Sequence, residues 1–496
     1  MHRRLPLILA LLLFTAAKPN PPAATGSDDE SGNWLQFDGN GGGRKPRSII
    51  TQSNVNQLEV AWRTAIPELA DGAPVFVSGV TARDEFRNVL VVSTMYGRLI
   101  AIDAGTGRRL WMTTPPAGPR WTTSSPAVDP TRTYVFGYTL DGYIHRYDLS
   151  TGEEITGPGW PALITLKGDV EKGSSSISIA TARNKRTYLY MTIAAYPEPG
   201  DEGDYQGHLV TIDLENGKQH VFNALCSDHD VHFTAAGDDT DCSKVQAGIW
   251  ARAGAVYDSA TDRVFVTTGN GPFTARDGGY DWGTSVIALR PDGSTDGGTP
   301  IDSFTPADYQ RLTDQDLDLS STTIEPIPTV NKNWPRVGVQ SGKDGKLRLL
   351  NLNDLSGQGR PRNIGGELQV IDLPQGHAVM TQPAAWLDGK RSWIFVANNH
   401  GTAAFELIAD DDGDPQLVLR WSNSLRGTTP VISNRVLYLA APHQLTALRP
   451  TTGAILWQDD TIGDIHWQSP IIVQDTVYLS DNGGYITAYS LSSRSR

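Results

Sequence analysis

Hydrophobic and polar positions alternate along residues 96–111 in the way that a β-hairpin requires. Leu99 begins a period-two alternation, and Asp103 to Gly107 has turn chemistry, since Asp can accept hydrogen bonds from nearby backbone and Gly tolerates positive φ. A returning strand then ends on Trp111. The pattern predicts a hairpin that buries one tryptophan.

The same hairpin pattern recurs along the chain. A clear second copy, 444–457, ends on Trp457 and keeps the spacing between the turn glycine and the tryptophan. Weaker, longer or truncated copies bring the number to eight, at 142–156, 207–221, 285–293, 345–357, 401–421 and 484–491. Repetition at roughly 40 to 50 residues is typical of a propeller or a solenoid.

Each hairpin is preceded by a short run that suits an inner strand beside a crowded axis. Eight such runs occur, at 73–76, 125–128, 176–179, 253–256, 325–328, 382–385, 429–432 and 469–472. The hairpin at 484–491 lacks a returning strand, and residues 58–63 have the form of that strand, with Trp62 in the role of Trp111. Closing the ring in this way removes an exposed edge. The sequence predicts an all-β, eight-bladed β-propeller of four-stranded antiparallel blades, closed by the N-terminal strand 58–63.

Insertions lengthen several of the predicted connections. The longest lie at 113–123, 157–175, 196–206, 223–249, 272–283 and 294–323. Loops on a rigid scaffold commonly carry binding sites, so we expect an unknown protein or small-molecule ligand at the loop face. The alternative is that these insertions only connect the blades and bind no ligand.

The N-terminus has the composition of an export signal. A basic start is followed by an apolar run at 5–14 that is too short to span a bilayer, and small residues follow at 15–17 and 23–24 as alternative cleavage sites. We expect a signal peptide at 1–24, a disordered tether at 25–33 and one propeller at 34–496, in a secreted or periplasmic protein. An uncleaved amphipathic anchor is the alternative. No other run approaches transmembrane length.

Bulk composition narrows the classes of partner. The 496 residues carry a formal net charge of -13, which argues against a nucleic-acid partner. The two cysteines, Cys226 and Cys242, lie close in sequence, and an isolated pair in an exported protein usually forms a disulfide. We expect that disulfide, no haem attachment, and a monomer.

The repeat resembles that of a known superfamily. Residues 101–111 follow the pattern Ala-x-Asp-x-x-Thr-Gly-x-x-x-Trp, and Trp34 to Phe37 are similar to the entry segment of the same proteins. These are the pyrroloquinoline quinone (PQQ) dehydrogenase propellers and their non-catalytic relatives, the quinoprotein alcohol dehydrogenase-like superfamily. The resemblance covers nearly the whole chain after the leader. A shared scaffold does not by itself establish a shared function.

The resemblance also implies a cofactor site. In the quinoprotein dehydrogenases a Glu, an Asn and an Asp surround Ca²⁺, and the matching positions here are Glu202, Asn270 and Asp318. The same Asp acts as the base in those enzymes. Asp318 is the nearest match for it, and Asp316 is the alternative. Lys343 matches the residue that contacts the quinone. Trp250 is the candidate for the floor of the PQQ pocket.

Each of these residues also has a structural explanation. Glu202 lies in an acidic turn, Asn270 in Gly-Asn-Gly, Asp318 in a loop and Lys343 in a turn, while Trp250 suits packing within a blade. The adjacent cysteine pair that the quinone alcohol dehydrogenases place against the cofactor does not occur in this sequence.

Two functions therefore stand as hypotheses. The first is a non-catalytic binding or assembly scaffold that presents loops to a partner, which the missing cysteine pair favours. The alternative is a PQQ- and Ca²⁺-dependent dehydrogenase that oxidises an alcohol or a sugar. Convergence of Glu202, Asn270, Asp318 and Lys343 in one pocket is required by the second hypothesis.

Overall fold

The computed structural model describes residues 32–39, 47–118, 120–196, 204–234, 242–357 and 363–491. Within these residues the strands form eight antiparallel sheets, which are the blades of a propeller. The expected all-β, eight-bladed fold is confirmed. The predicted leader at 1–24 and most of the predicted tether at 25–33 lie outside the described residues.

The blades are numbered by the chain order of their inner strands, and strands are given from inner to outer. Blade 1 comprises Val75–Ala82, Glu85–Ser93, Leu99–Asp103 and Arg109–Met112; blade 2 comprises Ala127–Val128, Tyr134–Tyr138, Tyr143–Asp148 and Ala162–Leu163. Blade 3 comprises Ser178–Thr181, Thr187–Ala195, His208–Asp213 and Gln219–Asn223; blade 4 comprises Val256–Asp258, Arg263–Thr267, Val286–Leu289 and Asp302–Phe304.

The second half of the ring repeats this order. Blade 5 comprises Glu325–Pro326, Val337–Ser341, Lys346–Asn351 and Gln369–Asp372; blade 6 comprises Ala384–Asp388, Arg391–Asn398, Gly401–Ala409 and Pro415–Asn423. Blade 7 comprises Val431–Ser433, Val436–Ala441, Gln444–Leu448 and Ile455–Asp459; blade 8 comprises Ile471–Val473, Thr476–Asp481, Tyr485–Leu491 and Leu58–Ala65. The described helices are short: Tyr309–Asp314 is an α-helix, and Val55–Gln57, Ala275–Asp277 and Leu319–Ser321 are 3₁₀ turns.

The first strand closes the ring. Leu58–Ala65 pairs antiparallel with Tyr485–Leu491, so that Leu58 lies opposite Leu491 and Trp62 lies opposite Ala488. The predicted closure by residues 58–63 is confirmed. Joining the two ends of the chain in one blade removes the unpaired edges that an open array would expose.

A tryptophan on the outer strand holds each of several blades against the next blade. The Trp62 indole N–H donates to the Ala104 carbonyl at 3.0 Å. A methyl group on Gly107 would lie 2.8 Å from the Trp62 ring, so only glycine allows this approach. Equivalent contacts join Trp111 to Leu149 and Gly152, and Trp421 to Pro450 and Gly453. Trp62 therefore has the same role as Trp111, as the sequence predicts.

Two predicted insertions contain outer strands instead. Ala162–Leu163 of blade 2 and Asp302–Phe304 of blade 4 lie within the stretches 157–175 and 294–323. The same stretch 157–175 also contains a further strand, Glu171–Lys172, which pairs with the second strand of blade 3. Strands of two or three residues are too short to show an alternating pattern, so the sequence gives no signal for them.

The propeller has two unequal faces. Because strands alternate in direction, the connections from second to third strand, and from each outer strand to the next inner strand, all lie on one face. We call it the long-loop face, since the insertion at 272–283 and the described residues of the insertions at 113–123 and 223–249 lie there.

The segment 34–39 lies inside the ring beside the inner strands. Trp34 pairs with Phe76 of blade 1. Phe37, which is 6% exposed, packs against Ala73 of blade 1 and Ala253 of blade 4. The segment therefore fills part of the axial channel.

Candidate functional site

Three of the predicted site residues meet on the long-loop face. Asn270 follows the second strand of blade 4, Asp318 precedes the inner strand of blade 5, and Lys343 follows the second strand of blade 5. The Asn270 backbone N–H donates to Asp318 Oδ1 at 2.9 Å, and Lys343 Nζ lies 2.7 Å from Asp318 Oδ2. One carboxylate thus joins loops of two neighbouring blades.

Trp250 lies at the same place. The Lys343 ammonium is 5.6 Å from the centroid of the Trp250 ring, which is within the range of a cation–π contact. The aromatic face is therefore directly beside the charged group. Four of the five residues that the sequence proposed for the cofactor site are brought together, and the fifth, Glu202, lies outside the described residues.

Backbone contacts fix the position of Asp318. Its carbonyl accepts the Lys343 N–H at 2.9 Å. A methyl group on Gly269 would lie 2.7 Å from Asp318 Oδ1 and 3.0 Å from the Gly248 carbonyl. The glycine in Thr-Gly-Asn is thus required for the close approach of the carboxylate, a role that the motif alone does not reveal.

Asp316 lies on the solvent side of the site. Its Oδ1 accepts the Asn270 Nδ2–H at 3.0 Å and lies 3.2 Å from Lys343 Nζ. The Asp316 side chain is 81% exposed, whereas that of Asp318 is 15% exposed. Of the two carboxylates that the sequence proposed as rivals, Asp318 is the shielded one, and Asp316 orients its neighbours from the solvent side.

The two carboxylates change the pKa values of nearby groups. Burial alone would lower the pKa of Lys343, but the charges of Asp318 and Asp316, and their hydrogen bonds, raise it above its ordinary value. Burial raises the pKa of Tyr205, and Asp318 and Asp316 raise it further. Tyr205 is a neighbour that the sequence did not single out, although it lies three residues after Glu202.

The residues present fit a hard cation. Asn270 Oδ1 is buried and has no hydrogen-bond partner among the described residues, which leaves an amide oxygen available as a ligand. Asp318 adds carboxylate oxygens, and Ca²⁺ prefers such ligands. Among the described residues, no cluster of three or more His, Cys, Asp or Glu side chains has metal-binding geometry. Glu202 is not one of the described residues.

The expected disulfide is present. Cys226 and Cys242 are bonded, with 6.0 Å between their Cα atoms, and the Cys226 N–H donates to Asp281 Oδ1 at 3.2 Å. The bridge joins two points of the loop after blade 3, and the Cys226 hydrogen bond ties this loop to the loop that follows Asn270. Among the residues described, no helix is both long and apolar enough to cross a membrane.

Comparisons with known proteins identify related β-propellers. The family model described as glucose/ethanol/alcohol dehydrogenase, beta-propeller domain, matches residues 34–295, and the model described as outer membrane protein assembly factor BamB matches residues 365–495. The alcohol dehydrogenase (quinone) dehydrogenase subunit of Gluconobacter oxydans is 24% identical over 82% of this chain and 56% of its own length. Quinohemoprotein alcohol dehydrogenase ADH IIB of Pseudomonas putida is 26% identical over 58% of this chain and 43% of its own length.

Solved structures show the same fold. The quinohemoprotein alcohol dehydrogenase of Comamonas testosteroni superimposes with a TM-score of 0.62 at 14% identity, over 93% of this chain and 81% of that one. A europium-containing methanol dehydrogenase gives 0.64 at 14% identity, over 93% and 98%. BamB from Moraxella catarrhalis gives 0.50 at 13% identity, over 87% and 99%.

The extent of these matches settles the family and leaves the activity open. The chain spans about half the length of the curated relatives that it matches. The alcohol dehydrogenase propeller model nevertheless covers more than half of the 496 residues. With an eight-bladed ring, the recurring tryptophan hairpin and this match together, the chain belongs to the PQQ family of glucose/ethanol/alcohol dehydrogenase β-propeller domains.

Proposed function

We propose that this protein is a PQQ- and Ca²⁺-dependent quinoprotein dehydrogenase that oxidises an alcohol or a sugar. The observation that carries the proposal is the meeting of Asn270, Asp318, Lys343 and Trp250, from separate stretches of the chain, at one place on the long-loop face. A carboxylate, an unpartnered amide oxygen, a cation and an aromatic face are the groups that a metal-assisted quinone site needs.

The binding roles follow from the side-chain chemistry. Asn270 Oδ1 and the Asp318 carboxylate would hold Ca²⁺, with Glu202 as the further ligand that the sequence motif suggests. Trp250 would provide the surface on which a planar ring stacks, and Lys343 would donate to a quinone oxygen. When bound, PQQ would supply the electron-accepting chemistry that the protein side chains lack.

Asp318 is the group best placed to accept the proton of a substrate hydroxyl. Its two oxygens are oriented by the Asn270 N–H and by Lys343, so the carboxylate is held in a fixed direction. A positioned carboxylate of this kind contributes about 10²- to 10⁴-fold to the rate as a general base.

We further propose that the mature protein works outside the cytoplasm as a monomer. The apolar run and the small residues near the N-terminus support export, with residues 1–24 removed and 25–33 as a tether before the propeller at 34–496. The partner in this proposal is a small-molecule alcohol or sugar that enters from the long-loop face.

A non-catalytic scaffold is the second candidate. It is favoured by the two cysteines, which are 16 residues apart and bonded to each other, so the adjacent pair of the quinone alcohol dehydrogenases is missing. The match of residues 365–495 to the BamB model also supports it. In that case the long-loop face would bind a protein partner.

A reconstitution assay separates the two candidates. Purified protein is incubated with PQQ and Ca²⁺, freed from excess cofactor, and mixed with primary alcohols or aldoses and a redox dye. The dehydrogenase proposal predicts dye reduction that requires both PQQ and Ca²⁺. Cofactor that stays bound without any turnover over a broad substrate panel would instead support the scaffold.

A further inference from the structure

Two basic side chains are buried at the axis side of the long-loop face. Arg252 precedes the inner strand of blade 4 and is 3% exposed, and Lys172, in the added strand of blade 3, is 5% exposed. A buried charge is costly unless hydrogen bonds or an opposite charge compensate it. The partners of these two groups are therefore informative.

Arg252 uses only one of its three nitrogens. Its Nη1 donates to the Thr123 carbonyl at 2.9 Å and to the Ser174 carbonyl at 2.7 Å, which precede the inner strands of blades 2 and 3. Its Nε and Nη2 are buried and have no hydrogen-bond partner in the described part of the chain. The free Nε–Nη2 edge is the one that binds a carboxylate through two parallel hydrogen bonds.

Lys172 adds a second positive charge close enough to Arg252 for the two groups to interact electrostatically. Its ammonium lies 5.3 Å from the centroid of the Trp121 ring. Burial lowers the pKa of Lys172 to about 8, while Asp71 opposes the shift and Arg252 adds to it. Burial also lowers the pKa of Arg252 to about 10, against the opposing charge of Asp71. Both groups are thus mainly cationic at neutral pH.

The nearby carboxylates do not compensate both charges. Asp71 interacts with both cations, but its own oxygens already accept His466 Nδ1 at 2.8 Å and the Trp467 N–H at 3.3 Å. The Glu171 side chain points away from Lys172, since its Oε1 accepts the Gln206 N–H at 2.9 Å. One positive charge and one donor edge therefore stay without an anion.

We propose that Arg252 and Lys172 form a binding site for the carboxylate group of a small molecule. The Arg252 Nε–Nη2 edge would bind the two oxygens, and the Lys172 ammonium would supply the second charge. This site does not depend on the proposed dehydrogenase activity, and it uses none of Asn270, Asp318 or Lys343. Through this site the long-loop face would bind an anionic group as well as an alcohol or a sugar.

Titration with simple anions tests the site without PQQ or Ca²⁺. Malonate, inorganic phosphate and chloride are titrated into the mature protein by calorimetry, in EDTA and at constant ionic strength. We expect malonate to bind more tightly than phosphate and chloride to give no saturable heat. Lys172→Met should weaken malonate binding by about tenfold or more, as the loss of a charged hydrogen-bonding group predicts.

Variants and a competition arm complete the test. Arg252→Gln should abolish malonate binding, and Lys390→Met, in an exposed turn elsewhere, should leave it unchanged. The proposal is overturned if malonate shows no saturable binding, if only phosphate binds, or if the wild type and Lys172→Met bind malonate equally well. None of these three results requires Arg252→Gln to fold. Competition between malonate and PQQ would identify the cofactor as the carboxylate source, whereas independent binding would identify a separate molecule.

Discussion

At the scale of single residues, Asp318 is where the separate motifs of the site meet. It accepts the backbone N–H of Asn270, pairs with Lys343, and fits only because Gly269 has no side chain. The candidate residues came from the family resemblance, which was matched to Thr-Gly-Asn at 268–270 and to the two aspartates at 316 and 318. The ion pair between Asp318 and Lys343 was not predicted, because it depends on how two loops of blade 5 approach each other.

The difference in exposure between Asp318 and Asp316 leads to unequal effects of substitution. Asp318→Asn should lower the turnover of the reconstituted protein by about 10²- to 10⁴-fold, because a positioned base is lost. Asp316→Asn should cost less than about tenfold, since exposed charges interact weakly through solvent. Steady-state kinetics on both variants checks this order, and a larger loss for Asp316→Asn would exchange the roles of the two residues.

Gly269 offers a test that leaves every polar group of the site in place. In Gly269→Ala the new methyl group would lie 2.7 Å from Asp318 Oδ1, so the carboxylate must move. We expect the apparent Ca²⁺ affinity in the presence of PQQ to fall by about tenfold, with a stability loss of about 1–3 kcal/mol. Thermal-shift titration measures both.

Gly105→Ala is the matched control for that substitution. Its nearest atom would be Asp103 Oδ1 at 3.5 Å, which is an ordinary contact distance. This control should keep the Ca²⁺ affinity of the wild type. Unchanged affinity in Gly269→Ala would contradict the placement of Asp318 in the cation site.

At the scale of elements, the strand Leu58–Ala65 joins the two ends of the described chain in one blade. It completes blade 8, and its Trp62 binds the Ala104 carbonyl of blade 1 at 3.0 Å. The hairpins and inner strands were predictable because alternation and turn residues are local signals. The two-residue strand Ala162–Leu163 was not predictable, because it forms only where the neighbouring strand offers an edge.

Removing the Trp62 side chain should weaken the closure of the ring. Trp62→Ala loses a half-buried indole and its hydrogen bond, and we expect a cost of about 2–4 kcal/mol in the free energy of unfolding. Val60→Ala on the same strand is the control, since Val60 is 47% exposed and should cost less than about 0.5 kcal/mol. Urea denaturation measures the unfolding midpoints of both variants. Equal midpoints would contradict a role of Trp62 in closing the ring.

A histidine in the third strand of blade 2 gives the fold a predictable pH dependence. His145 Nδ1 lies 2.7 Å from Glu154 Oε1, and its Nε2 lies 3.2 Å from Asp141 Oδ2. Burial alone would lower the pKa of His145, but the two carboxylates raise it above 6.5. Burial would raise the pKa of Asp141, yet its bonds to His145 and Thr139 lower it below 3.8.

These shifts set the direction of the pH effect. The raised pKa of His145 stabilises the fold fully below pH 6.5, and this contribution is lost as the pH rises through the folded-state value. The Tm difference between wild type and His145→Gln should therefore be larger at about pH 5.5 than at about pH 8.5. The exposed His443→Asn serves as control, and a Tm difference that grows with rising pH would contradict the charged pair.

At the scale of the whole molecule, a regular ring carries an irregular face. The eight-fold repeat made the architecture and its closure predictable from the sequence. The contents of the insertions were not predictable, because they depend on contacts between blades. Arg252 shows why: its flanking alanines give no sign of burial, and its partners Thr123 and Ser174 come from two other blades.

Calorimetric titration of PQQ into the mature protein in the presence of Ca²⁺ tests the proposed cofactor site most directly. The convergence of Asn270, Asp318, Lys343 and Trp250 predicts one saturable site that requires Ca²⁺, with affinity reduced by about tenfold or more in Lys343→Met. Asp410→Asn, in an exposed turn of blade 6, should bind as the wild type does. No saturable binding of PQQ to the wild type, with Ca²⁺ in excess, would contradict the proposed cofactor site.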